Sequence, residues 1–375
     1  MENIYLDHAS TTKLDSRVLE KMMPYLTENY GNSNSVHGIG RNAVKGLDEA
    51  REIIAKLINA SFNEVYFTSG GTEGDNWALQ GFYSSRKNKN KLVVSAIEHS
   101  AMLKTASLLK GVELVKVNPN KNGIVEAENY LEKVDENTFL ATLMLANNEV
   151  GTFQPVKKAS EYSHKKGAYF FTDAVQAMGA SKIDVKDLGV DMLSFSAHKF
   201  GGPKGVGGVF IKNGTEIDGL ILGGHQEREK RGGTSNVAGA IGLAYALKYT
   251  YESLEKDVNH ITNLRNYFID KVLSLGIGAS LNGDRENRLA NNANILFDGI
   301  NGENLLYKLD LNGVCASVGA ACSAGSIEPS HVLTAMGISE KQAKSSLRFT
   351  FGRENTTEEV DKVVDLIEKI IKNAL

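Results

Sequence analysis

The sequence predicts an α/β fold, a mainly parallel sheet covered by helices, in a chain long enough for about two domains. Three observations carry this prediction. Short β-prone runs alternate with amphipathic helical periodicity along the chain, the pattern left by βαβ units. Glycine-rich turns follow some of those runs, where such sheets present their chemistry. The 375 residues are 42% hydrophobic and 23% charged, a composition that belongs to globular proteins and excludes a disordered chain.

Taken in order, residues 16–25 and 43–59 read as amphipathic helices. In the second, Val44, Leu47, Ala50, Ile54 and Leu57 recur at three- and four-residue steps. A β-prone run over 64–68 leads into Ser69-Gly-Gly-Thr and a helix through Trp77, Ala78 and Leu79. Residues 92–95, 112–117, 139–145 and 168–172 read as strands, with a helix over 157–166. The glycine-rich stretch 201–208 runs into a strand over 209–211. Residues 238–255 and 263–275 read as two long helices that bridge to a second domain. The tail over 357–371 reads as one more amphipathic helix, with Thr356 or Thr357 as N-cap ahead of Glu358 and Glu359. With five prolines and no Pro-rich linker, the domains are expected to share a wide interface.

Charge and cysteine usage narrow the function. Lys+Arg number 42 against Asp+Glu 45, a net charge of −3, and no long basic run marks a nucleic-acid binder. The two cysteines, Cys315 and Cys322, lie in one short stretch. That excludes a disulfide scaffold and a four-cysteine zinc site, and no metal is expected. The N-terminal residues lack the basic and apolar regions of a signal peptide, and no apolar run approaches the roughly 18 residues of a membrane span. The expectation is a cytoplasmic protein.

Several constellations can carry chemistry. In Ser194-Phe-Ser-Ala-His-Lys-Phe-Gly-Gly-Pro-Lys-Gly, Lys199 stands between a short apolar run and a glycine-rich turn. A lysine there can form a Schiff base with an aldehyde cofactor, with Ser196 and His198 as donors to a phosphate. A solvated loop lysine is the plainer alternative. Ser69-Gly-Gly-Thr-Glu-Gly offers a helix N-terminus and the Thr72 hydroxyl to a phosphate, or simply a helix cap. Asp173 follows a strand with Gln176 three residues on. That carboxylate can hold a pyridinium nitrogen protonated, or cap a helix. His99, in Ala96-Ile-Glu-His, can stack on a planar cofactor and move protons, or be structural. Ala146-Asn-Asn-Glu delivers polar amides to the same sheet edge. Arg348, inside a β-prone run, needs an anion: a substrate carboxylate or a structural ion pair. Cys322 lies in a Gly/Ala/Ser loop suited to an exposed thiol, whereas Cys315, beside Val314, reads as buried and inert at the start of a packed strand.

Together, Thr-Ser-Gly-Gly-Thr-Glu, Glu-His, Asn-Asn-Glu-Val-Gly, Thr-Asp-Ala-Val-Gln, Ser-Phe-Ser-Ala-His-Lys, Gly-Gly-His-Gln-Glu-Arg-Glu-Lys-Arg-Gly-Gly-Thr and Ser-Ser-Leu-Arg-Phe resemble the cysteine desulfurases. These are class-V aminotransferase-group enzymes of pyridoxal-phosphate fold type I, and the likeness covers nearly the whole chain. It implies an arm over 1–15 associated with the small domain, a large cofactor-binding domain over 16–250 and a small α+β domain over 251–375 carrying the cysteine loop. It implies pyridoxal 5'-phosphate on Lys199, with Asp173 at the ring nitrogen, Gln176 at the phenolic oxygen and His99 over the ring. Gly71, Thr72, Ser196 and His198 would hold the phosphate, joined by Thr234 from the other subunit of a homodimer. Asn148 and Arg348 would contact the substrate L-cysteine, Arg348 at its carboxylate. Cys322 would take the sulfur as a persulfide, for transfer to an iron–sulfur scaffold or a tRNA-thiolating enzyme. The length of the loop from Cys322 resembles the IscS/NifS branch. Within the same group, a selenocysteine lyase or an aminotransferase is the alternative, and the loop cysteine is what an aminotransferase does not need.

Overall fold

A computed structural model of the chain describes residues 3–318 and 328–373. Its strands, in chain order, are β1 (Ile4–Tyr5), β2 (Val65–Thr68), β3 (Lys91–Ser95), β4 (Glu113–Val117), β5 (Thr138–Thr142), β6 (Tyr169–Asp173), β7 (Met192–Ser196), β8 (Gly207–Ile211), β9 (Ala279–Asn282), β10 (Asn292–Phe297), β11 (Val314–Cys315) and β12 (Ser346–Thr350). Seven of them form the main sheet in the order β2-β8-β7-β6-β5-β3-β4. The run from β4 to β7 is parallel, as the alternation predicts. Strand β8 instead runs antiparallel to both β7 and β2. Only ten residues separate β7 from β8, too few for a helical crossover, so the chain returns as a hairpin.

Strands β5 and β7 are buried along their whole length, as are all but the first residues of β3 and β6. This is why they read as near-continuous apolar runs without alternation. Apolar cores cover both faces of the sheet, one centred on Leu193, Phe195 and Ile241 and the other on Trp77, Phe82 and Phe171. A further core gathers Phe268, Ile295, Phe297, Phe349 and Ile367 around the antiparallel sheet β12-β10-β9.

Three elements differ from the sequence expectation. The helix expected over 43–59 spans Gly38–Leu57, with the His37 side chain capping it. Gly38-Ile-Gly40 is a poor helix start by propensity, but a Cβ on Gly40 would lie 2.2 Å from the Ser35 carbonyl oxygen. Close packing there requires the glycine. The two helices expected over 238–275 are one helix of 38 residues, Val237–Ser274. The polar stretch between them contains neither glycine nor proline, so nothing breaks the backbone ladder. The strand expected over 139–145 ends at Thr142. The terminal helix Thr357–Lys372 begins as predicted, with a capping box between Thr356 and Glu359.

The N-terminal residues tie the ends of the chain together. Strand β1 pairs in parallel with β11, and the Ala9 amide donates to Thr350 Oγ1 at 2.9 Å. Among the described residues no helix is long and apolar enough to cross a membrane.

Candidate active site

The carboxyl ends of β3, β5, β6 and β7 meet the N-terminal arm and β12 around a cavity of about 590 Å³. The sequence-predicted residues Gly71, Thr72, His99, Asn148, Asp173, Gln176, Ser196, His198, Lys199 and Arg348 all line it. A parallel sheet delivers such groups to one edge because its loops leave from the same ends of its strands.

Asp173 closes β6 and is 5% exposed. Its Oδ1 accepts the Val175 amide at 2.8 Å, and among the described residues no cation is bonded to it. Burial pushes the carboxyl upward, while His99 and Lys199 pull it back. Behind it, burial also raises Asp75 well above the usual carboxylate range, with the neighbouring Asp173 charge adding to the effect. Glu98 is pushed up to about 8 by burial and by Asp173. Asp75 accepts from Ser194 Oγ at 2.8 Å, and Glu98 from the Met144 amide at 3.0 Å. These two acids had no distinguishing signal in the sequence beyond their places beside Gly74 and His99.

Lys199 ends the short helical turn Ala197–Lys199 after β7. Burial, and then the Arg348 charge, lower its amine to about 8. Nζ donates to the carbonyl oxygens of Ala9 at 2.5 Å and Ser10 at 2.9 Å. Gln176 Nε2 donates to the same Ala9 oxygen at 3.0 Å. His99 caps the helix Ser100–Leu108, its Nδ1 accepting from the Ala101 amide. His99 thus caps a helix, the structural reading, and also lines the cavity.

Thr72, Ser196 and His198 surround the start of the helix Gly71–Ser85. A Cβ on Gly71 would lie 2.5 Å from Val175 Cγ2. Glycine thus lets the helix N-terminus seat against the strand ends, where its unpaired N–H groups favour an anion. Ser196 and His198 border the same corner, with Lys204 on its outer side. His198 is depressed to about 4, by burial first and then by Lys199 and Lys204; its Nδ1 lies 3.2 Å from Thr11 Oγ1. Thr234 is exposed and does not line the cavity of its own chain.

Arg348 occupies the middle of β12 and its side chain is 4% exposed. It makes the structural ion pair weighed from the sequence: Nη2 lies 2.9 Å from Asp7 Oδ1 and donates to Ser10 Oγ at 2.8 Å. Nη1 donates to the Asn148 carbonyl oxygen at 2.9 Å. Asp7 and Ser10 carried no chemical reading of their own in the sequence; an arginine in need of an anion was the signal that pointed toward them. Cys322 lies outside the described residues, although Ser317 and Glu328, on either side of residues 319–327, both line the cavity. Cys315 is half-buried in β11 and not fully enclosed as expected. Its thiol is raised by burial, then by Asp310 and Asp7, as a packed strand position implies.

This arrangement of a depressed lysine, a buried carboxylate and a helix-borne anion corner defines a class. Residues 4–363 match the model of the class-V aminotransferases, and the chain belongs to that family. Within it the chain stands with the cysteine desulfurases: it is 43% identical over 376 residues to the cysteine desulfurase IscS of Clostridium botulinum, covering 99% of this chain and 95% of that one. A solved NifS-like protein superposes with a TM-score of 0.93 at 38% identity, covering 99% of this chain and 100% of its own. A second structure, SspA in complex with cysteine, gives 0.81 at 32% identity over 94% of this chain and 100% of its own.

Enzymes of this family work with pyridoxal phosphate, and the residues present fit it. That cofactor brings an aldehyde, a basic ring nitrogen and a phosphate. The cavity answers with an amine lowered toward neutrality, a buried carboxylate and a helix N-terminus flanked by Thr72, Ser196 and His198.

Proposed function

We propose that the chain removes sulfur from L-cysteine, releases L-alanine and carries the sulfur as a persulfide on Cys322. The convergence of Lys199, Asp173 and His99 on one cavity that Arg348 also reaches is the observation that carries this reading. Pyridoxal phosphate, when bound, supplies an electron sink for the substrate's α-carbon. Lys199 holds the cofactor and, once released, moves the proton at that carbon; an amine near neutrality is suited to both tasks. Asp173 would keep the ring nitrogen protonated, Gln176 would donate to the phenolic oxygen, and His99 would stack on the ring and assist proton transfer. Gly71, Thr72, Ser196 and His198 hold the phosphate.

Arg348 takes the substrate carboxylate, with Asn148 beside it. The Cys322 thiolate attacks the substrate sulfur, forming the S–S bond as the C–S bond breaks. The electron pair of the C–S bond stays with the carbon side, which is then protonated to alanine. In this reading two chains form a homodimer in which Thr234 of one reaches the phosphate of the other. The units divide as an arm over 1–15, a large domain over 16–250 and a small one over 251–375. The persulfide passes in the cytoplasm to an iron–sulfur scaffold or a tRNA-thiolating enzyme.

The test is persulfide trapping. After cysteine is added, alkylation and peptide mass analysis are expected to place the extra sulfur on Cys322. Cys322→Ser should retain the cofactor and still bind cysteine, yet lose sulfide release. Cys315→Ala should keep most activity. Extra sulfur found only at Cys315 would reverse the assignment.

A further inference from the structure

We propose that Asp7 is a positioning residue that weakens the grip of Arg348 on the substrate carboxylate, and so governs how readily substrate enters and product leaves. The proposal rests on the reading of Arg348 as the carboxylate site. Its basis is the geometry of one guanidinium. An arginine can hold a carboxylate with two parallel bonds either end-on, through Nη1 and Nη2, or side-on, through Nε and Nη2. Both forks need Nη2. Here Nη2 already serves Asp7 Oδ1 at 2.9 Å and Ser10 Oγ at 2.8 Å, and Ser10 Oγ in turn donates to Asp7 Oδ1 at 2.9 Å. Arg348 Nε is buried with no partner among the described residues, and Nη1 has one bond, to Asn148. Neither pair of nitrogens is open for a fork while Asp7 and Ser10 stay in place.

Asp7 does not leave easily, because the backbone around it is fixed. The His8 amide donates to the Thr350 carbonyl oxygen at 3.3 Å and the Thr350 amide to the Leu6 carbonyl oxygen at 2.7 Å. The Ala9 amide is held by Thr350 Oγ1. The same short segment presents the Ala9 and Ser10 carbonyl oxygens to Lys199 Nζ. Residues 7–10 therefore bridge the group that would hold the substrate's carboxylate and the amine that would work at its α-carbon. An incoming carboxylate meets a cation already neutralised, with a fixed anion beside it. Like charges a few ångströms apart repel, and the substrate is held more loosely than by an unpaired arginine.

The experiment compares L-alanine, the proposed product, with L-alaninamide, which lacks the carboxylate. Binding of each to the holoenzyme is read from the change in the cofactor's visible spectrum. Asp7→Asn keeps a side-chain oxygen for Nη2 but removes the charge. It is expected to bind L-alanine about tenfold more tightly, the size of one carboxylate repulsion across several ångströms at intermediate dielectric, with alaninamide unchanged. The KM for cysteine should fall, and kcat should fall with it if alanine release limits turnover. Asp7→Ser removes the charge in a different shape and should tighten alanine in the same way, which keeps the test available should Asp7→Asn fold poorly. Unchanged or weaker alanine binding in these variants overturns the proposal, because a purely structural Asp7 would change thermal stability without separating alanine from alaninamide. Arg348→Gln tests the underlying reading separately. It should abolish the preference for alanine over alaninamide, and a preference that survives removes the carboxylate role of Arg348 itself.

Discussion

The two sides of the cavity handle charge in opposite ways. On the side built by the ends of β6 and β7, Asp173 is buried and Lys199 half-buried, and no ion pair joins either to a partner among the described residues. Asp173 is held against its charged form by burial, and the Lys199 amine is pushed toward its neutral form. On the side built by β12 and the arm, Arg348 is buried and its two terminal nitrogens are answered by Asp7, Ser10 and Asn148. Charges that lack a counter-ion store electrostatic free energy, which a ligand of opposite charge releases on binding. A group already paired with a counter-ion exchanges one partner for another at little net gain. In the function proposed above, the first side would keep its ligand across many turnovers and the second would let its ligand go after each one.

The largest effect expected on this contrast comes from Lys199→Ala. It should remove the borohydride-reducible link to the cofactor and lower turnover by about a thousandfold or more. A reducible link at another lysine would break the assignment. Asp173→Asn comes next. Loss of the charge should lower kcat by about a hundredfold, while the protein without cofactor becomes more stable. The sign follows from the raised carboxyl: the buried charge destabilises the fold at every pH above the ordinary carboxylate range, and the amide removes that penalty. Calorimetry should find the melting temperature raised by about 2 °C. A lowered melting temperature would mean that Asp173 is answered after all, and the contrast would fail. The smallest effect is one of pH. Cofactor addition to the cofactor-free chain needs the neutral Lys199 amine, so the loading rate should climb with pH and level off above about 8. An ordinary lysine would keep climbing past 10.

How much of this was legible in the sequence depended on how local the determinants were. The parallel strands and the ten cavity-lining residues were readable because each sits in a strand-to-loop segment whose own residues announce it. The hairpin return into β8 and the unbroken helix Val237–Ser274 depended on what was missing, a crossover or a breaker, and periodicity registers absences poorly. Asp7, Ser10 and the acids Asp75 and Glu98 were harder for a different reason. Asp7 lies 341 residues from Arg348, and Asp75 lies 119 from Ser194. Their roles come entirely from partners that only the folded chain brings near.

The same separation has a consequence for how the enzyme comes into being. The arm precedes the large sheet along the chain, and β12, which fixes it, follows that sheet. Pairing of β1 with β11 and of Ala9 with Thr350 must wait until β11 and β12 have been made, whereas the large sheet can form from what has already emerged. A partly synthesised chain can thus own a folded sheet and a placed Lys199 without the arm that lines the site. Completion of the cavity therefore follows the large sheet, and a chain that stopped before β12 would lack Arg348 and the contacts that fix the arm.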